Sequence, residues 1–137
     1  MGRIIAIDYG KKRTGLAVTD PLRIIATALD VIESPSLLNY LKSYFGKEQV
    51  DAVVIGLPKN LKNEENEMTS LVRSVASQIE KAFPGKPVHF LDERFTTAIA
   101  HQSMIASGMK KKDRRVKGNA DKISATIILQ DFLVSKK

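Results

Sequence analysis

The sequence predicts an α/β fold: a mixed five-stranded sheet with helices on both faces. Three observations predict it. The first third of the chain holds three apolar runs joined by short turns, which reads as an antiparallel meander. Two further apolar runs are each preceded by a helix-period segment, and strands joined by single crossover helices run parallel. The 137 residues, 43% hydrophobic and 27% charged, suffice for one globular core, so one domain over 1–137 is expected.

Each element has a local reason. Residues 3–8, Arg-Ile-Ile-Ala-Ile-Asp, are apolar at alternate and intervening positions, as in a strand covered on both faces. Tyr9-Gly10 and a basic triplet make a turn, and a second strand spans 14–19 until Asp20-Pro21 stops it. A third spans 24–32 and is broken at Ser34-Pro35. Ser36 is placed to cap a helix running to Phe45 and closed by Gly46. A buried strand over 51–55 ends at Gly56-Leu57-Pro58. Helical spacing of Met68, Leu71, Val72, Val75, Ile79 and Phe83 predicts a helix over 64–83, stopped by Pro84-Gly85. Residues 88–91 form the last strand, and Thr96 or Thr97 caps a helix to Ser107. A basic connector covers 109–118, and Asn119 caps a final helix to Leu133.

Composition narrows the function. Cysteine is absent, which excludes disulfide scaffolds, thiolate metal sites and cysteine nucleophiles. No apolar run is long enough for a membrane helix, and the first nine residues do not resemble a signal peptide; a cytoplasmic protein with no membrane partner is expected. The net charge of +7 is uneven. Lys11, Lys12 and Arg13 form one basic cluster; Lys110, Lys111, Lys112, Arg114, Arg115 and Lys117 form another. The remainder is close to neutral. Two local clusters on a neutral scaffold point to a polyanionic partner, although a charge run is also an ordinary solvated loop.

Three acids are candidates for chemistry. Asp8 ends the first strand, where open parallel sheets form their sites, and Gly10 permits close approach. A turn-forming aspartate is the equal alternative. Asp92 and Glu93 follow the last strand and alternate between faces, so one is placed to face a site while the other pairs with Arg94 or caps the next helix; spacing does not choose between them, and a solvated charged loop is the alternative for either. If the first and last strands are parallel neighbours, Asp8 and that acid emerge about 5 Å apart. Asp121 stands in the first turn of the last helix, on the stripe of Ala125, Ile128 and Phe132, where the helix dipole alone would also favour an acid. Should the three converge, their repulsion must be relieved by protonation or by a cation, and oxygen-only ligands suit Mg²⁺ or Mn²⁺, here a pair of ions. Carboxylate-held metals beside basic clusters describe a phosphodiester-cleaving site. Lys59 and Asn60, at the same sheet edge, are placed to touch phosphate or to form a polar loop; His89 and His101 read as structural.

These residues also carry a family resemblance. Residues 7–10 (Ile-Asp-Tyr-Gly), 13–18 (Arg-Thr-Gly-Leu-Ala-Val) with Asp20-Pro21, 56–58 (Gly-Leu-Pro), 92–97 (Asp-Glu-Arg-Phe-Thr-Thr), and Asp121 with 124–130 resemble, in order, the motifs of the YqgF family. The resemblance covers nearly the whole chain. It implies a ribonuclease H-like fold, similar to RuvC-type Holliday junction resolvases. It implies a nuclease, described either as a resolvase or as maturing the 5′ end of pre-16S ribosomal RNA. It implies that Asp8, Glu93 and Asp121 bind metal, and so selects Glu93 over Asp92. Where the family often has a glycine after Gly-Leu-Pro, this chain reads Leu61-Lys62-Asn63-Glu64-Glu65.

The expectation is therefore a metal-dependent endonuclease on structured or precursor RNA, bare or within a ribosomal precursor particle. Lys11, Lys12, Arg13, Lys59, Asn60, Arg94, Thr96 and the six basic residues of 110–117 would hold the nucleic acid. Branched DNA is the rival substrate; symmetric cleavage of a four-way junction would need a homodimer. A non-catalytic nucleic-acid module of the same fold is a second rival. A nucleotide phosphotransferase comes last, because such folds need two domains around the nucleotide.

Overall fold

The computed structural model describes residues 2–57, 67–92 and 119–135. Strand β1 spans Arg3–Tyr9, β2 Arg13–Thr19, β3 Ala26–Glu33, β4 Val50–Leu57 and β5 Val88–Asp92. Helix α1 covers Leu37–Lys47, entered through a 3-10 turn at Ser34–Ser36; α2 covers Glu67–Ala82 and α3 Asn119–Ser135. The sheet order is β3-β2-β1-β4-β5, with β1–β2 and β2–β3 antiparallel and β1–β4 and β4–β5 parallel. This is the expected mixed sheet.

Burial explains why β1 and β4 are apolar throughout. Ile5, Ile7, Val53 and Ile55 face one cluster, closed by Leu37 and Leu41 of α1 and by Val72, Val75, Ala76 and Ile79 of α2. Ile4, Ala6, Ala17 and Val54 face the other, closed by Ala125, Ile128, Leu129 and Phe132 of α3. Each fully buried aliphatic side chain contributes roughly 1.5–3 kcal/mol. The α3 stripe read from the sequence is thus the covered face.

Four expectations change. First, β4 lies between β1 and β5, so the first and last strands are not neighbours, and their separation is about 10 Å rather than 5 Å. Second, β3 starts at Ala26 rather than at Ile24. The Asp20 carboxylate accepts the backbone N–H groups of Leu22, Ile24 and Ile25 at 3.2, 2.8 and 2.8 Å, which holds those residues in a turn. Third, Ser36 precedes α1 but makes no side-chain cap, because the 3-10 turn gives it φ −88° and ψ 0° instead of an extended capping geometry. Fourth, Gly46 lies inside α1, which closes where Glu48 N–H reaches Tyr44 O at 2.9 Å. The expected helix from Thr96 or Thr97 to Ser107 and the connector 109–118 lie outside the described residues.

At the edge where β1 begins, Asp51 ties three segments together. Its Oδ2 accepts Gly2 N–H at 2.8 Å and Arg23 Nη2 at 2.6 Å, while Arg23 Nε donates to Gly2 O at 2.9 Å. Arg23 adopts φ 60° to make this clamp. The Gly2 N–H bond, and after it Gln49 and Arg23, hold the Asp51 pKa below its ordinary 3.8. A carboxylate lowered on folding stabilises the fold above its unfolded pKa, and that contribution is lost as pH falls through the folded value. Acid unfolding monitored by circular dichroism should therefore show a steeper limb below about pH 4 in the wild type than in Asp51→Asn. Superimposable acid limbs would mean that the clamp adds nothing.

Candidate functional site

The parallel strands β1, β4 and β5 end at one edge of the sheet, where Asp8 and the β1–β2 turn lie. Asp8 is half-buried near the end of β1. It alternates with Ile7, which faces α1 and α2, so it belongs to the α3 face with Ile4 and Ala6. Its partner across β2 is Gly15. On β4, Ile55 pairs with Ile7, so the residue level with Asp8 is Gly56. Neither neighbouring strand therefore sets a side chain beside this carboxylate on the α3 face. Both glycines belong to the motif stretches, but only strand register shows that they flank one residue. Glycine inside a strand is the available signal, since it marks close approach of a ligand or backbone.

Helix α3 runs along the face on which Asp8 lies, and the Asp121 side chain in its first turn is outside the described residues. Its C-terminal half lies at the opposite edge, where the Phe132 ring is 5.4 Å from that of His89 near the start of β5. Gln130, Asp131, Leu133 and Val134 meet the β2–β3 turn there, around a groove of ≈ 850 Å³ that also involves Leu22, Ile24 and Ile25. The 17 residues of α3 span about 25 Å, so its first turn, with Asp121, reaches toward the end of β1. His89 is a packing residue, as expected. Glu93, Lys59, Asn60, Arg94, Thr96, His101 and the basic residues of 110–117 lie outside the described residues. Among the described residues, no three acidic or histidine side chains are close enough to hold a metal.

The β1–β2 turn carries the first basic cluster to this edge. Lys11 and Lys12 are exposed and Arg13 is half-buried. Lys11 Nζ lies 3.5 Å from Glu67 Oε1 at the start of α2, an exposed pair of little energetic weight. Ser34 fixes the turn: its N–H donates to Lys12 O at 3.0 Å, its hydroxyl donates to Gly10 O, and Thr14 Oγ1 lies 2.8 Å from Ser34 Oγ. A Cβ on Gly10 would stand 2.6 Å from the backbone oxygen of Arg13, whereas one on Gly46 would meet nothing within 4 Å. Gly10→Ala is therefore expected to lower stability by about 1–3 kcal/mol. Gly46→Ala, in a helix interior, should be neutral or stabilising by about 0.5–1 kcal/mol. Thermal unfolding of the two variants checks this pair.

A divalent cation suits the chemistry at this edge. The candidate donors are carboxylates only, the set that hard cations select. The glycines on both sides of Asp8 keep neighbouring strand side chains away from it.

Comparisons with known proteins agree on the fold and on the family. The RuvX family model, described as Holliday junction resolvase, matches residues 2–135. A Bacteroides thetaiotaomicron protein named "Putative pre-16S rRNA nuclease" is 48% identical over 100% of this chain and 99% of its own length. A protein of the same name from Phocaeicola vulgatus is 50% identical over the same shares. Among solved structures, the fowlpox virus Holliday junction resolvase superposes with TM-score 0.60 at 15% identity, covering 97% of this chain and 99% of that one. Thermus thermophilus RuvC in complex with a Holliday junction gives 0.58 at 16% identity, covering 99% and 96%. Those two likenesses establish the ribonuclease H-like, RuvC-type fold, and the sequence matches establish kinship: the chain belongs to the RuvX family, the one resembled by its YqgF-type motifs.

Proposed function

We propose that this protein is a metal-dependent endonuclease that hydrolyses phosphodiester bonds, acting as one domain in maturation of the 5′ end of pre-16S ribosomal RNA. The observation that carries the reading is the edge itself. Asp8 stands at the end of the central strand between two glycines, and α3, which carries Asp121 in its first turn, packs across the face on which Asp8 lies. Relatives of nearly half-identical sequence along the full chain bear the name of that nuclease.

Asp8, Glu93 and Asp121 are the proposed metal-binding acids, for Mg²⁺ or Mn²⁺, with two ions in the full site. Bound there, the cations supply Lewis acidity and a water acidified enough to attack phosphorus. Asp8 holds the cation at the sheet edge, and Gly15 and Gly56 leave it room. Glu93 orients the attacking water as well as binding metal. Lys11, Lys12, Arg13 and the 110–117 cluster hold phosphates on either side, and Lys59, Asn60, Arg94 and Thr96 add contacts. Phosphate contacts give affinity with little sequence information. The substrate is precursor RNA, free or in a ribosomal precursor particle. The family description favours one alternative, a four-way DNA junction cut by a homodimer.

One assay separates these. Precursor ribosomal RNA, single-stranded RNA and a four-way DNA junction are incubated with each metal, with Asp8→Asn as control. The precursor RNA should be cut, the junction spared and the control inert. Symmetric junction cleavage by a dimer would favour the alternative, and cleavage by the control would remove Asp8 from the site.

A further inference from the structure

On the other side of the strand end, beside the proposed cleavage site, lies a small pocket of ≈ 160 Å³. Tyr9, Leu38, Leu71 and Val75 form its apolar walls, and Ser34 and Gln78 supply polar groups. It lies between the end of β1, the entry to α1, and α2. Three features define what it takes. Its volume is well under the roughly 300 Å³ of pockets for drug-sized ligands, so it admits one planar ring system and no more. Its walls offer a phenol ring and aliphatic side chains, while the Gln78 amide, on an exposed residue, both donates and accepts. Its rim is joined to the basic turn, because Ser34, which lines it, bonds Gly10 O and Lys12 O.

We propose that this pocket receives one unstacked nucleobase of the substrate strand, adjacent to the phosphate held at Asp8. The inference rests on the nuclease reading above and deepens it. Asp8 and Tyr9 are consecutive and point to opposite faces of the sheet. A nucleic acid strand crossing this edge sets a phosphate over Asp8 on the α3 face and lets a flanking base drop to the α1–α2 face. Lys11 and Lys12 on the turn meet the phosphates that bracket that base, with Lys11 leaving its exposed pairing with Glu67. Base-on-aromatic stacking tolerates any base, and the Gln78 amide adds a preference by contact with a base edge. A paired, stacked base cannot enter, so the substrate class is RNA with an unpaired nucleotide beside the cut.

The test has two arms. In the first, nucleoside 5′-monophosphates and ribose 5-phosphate are titrated to millimolar concentration without metal, and methyl resonances are followed by NMR. The nucleotides should shift Leu38, Leu71 and Val75, and ribose 5-phosphate should not. Tyr9→Ala should lose these shifts and Asp8→Asn should keep them. In the second arm, one abasic residue is walked through a cleavable single-stranded RNA. Abasic substitution at one position next to the cut should slow wild-type cleavage by roughly 10–100-fold. Tyr9→Ala should cut the intact RNA about as slowly and be insensitive to that position. If Tyr9→Ala does not fold, Gln78→Leu, at an exposed position, should flatten the preference among the four bases at that position. Nucleotides that leave the Leu38, Leu71 and Val75 methyls unshifted, or equal abasic effects at every position, would overturn the pocket. Methyl shifts without any RNA cleavage would overturn the nuclease reading and leave the pocket standing.

Discussion

Replacing Asp8 by asparagine is expected to remove cleavage by a factor on the order of 10³ while leaving the fold intact. The amide matches the carboxylate in shape, so the strand and its register with Gly15 survive. It lacks the charge that a divalent cation requires. Because both strand neighbours of Asp8 on the α3 face are glycines, neither supplies a substitute carboxylate. The same variant separates metal binding from catalysis. A cation at a hundred times its dissociation constant stabilises the folded state by about 2.7 kcal/mol. For a domain of this size that is a rise in Tm of roughly 10 °C. The wild type should show a rise of that order between EDTA and millimolar Mg²⁺ or Mn²⁺, and Asp8→Asn should lose most of it. An equal response in both proteins would place the metal elsewhere.

Ile128→Ala should do the reverse, costing stability first. Ile128 is completely buried in the middle of α3, against the cluster of Ile4, Ala6, Ala17 and Val54. Deleting its outer carbons forfeits their transfer energy and leaves a cavity beneath a helix that cannot close over it. The expected loss is about 2–5 kcal/mol, a large share of the 5–15 kcal/mol that holds a typical domain. In urea the midpoint should fall with an unchanged slope. Cleavage well below the new melting temperature should persist, since Ile128 lies two helical turns beyond Asp121 and touches no substrate. A variant of unchanged midpoint would mean that α3 does not pack on the sheet in solution.

What the sequence made legible follows from where periodic patterning acts. Strands β1 and β4 were readable because central strands are apolar on both faces, and α2 and α3 because their buried residues recur at helical spacing. Their order implied parallel pairing. Strand adjacency is not readable: nothing in residues 3–9 or 88–92 says that 50–57 lies between them, which sets the first and last strands two spacings apart. The ends of elements were decided by side chain-to-backbone bonds, as when Asp20 holds Ile24 and Ile25 out of β3. At the site, the position of Asp8 was readable from one strand alone. The pairing of Gly15 and Gly56 around it is a property of register, and so is the division of Asp8 and Tyr9 between two faces, which creates the pocket behind the edge.

The proposed site draws its acids from distant parts of the chain, and this has a consequence in time. Asp8 leaves the ribosome early, on the first strand, while Asp121 follows only with α3. Strand β1 cannot be fully covered until that helix arrives, because Ala125, Ile128, Leu129 and Phe132 close one of its faces. A nascent chain therefore leaves this face open throughout the synthesis of the preceding elements, while α1 and α2 can already cover the other. The order of translation itself thus sets the order in which the two faces of the sheet are closed.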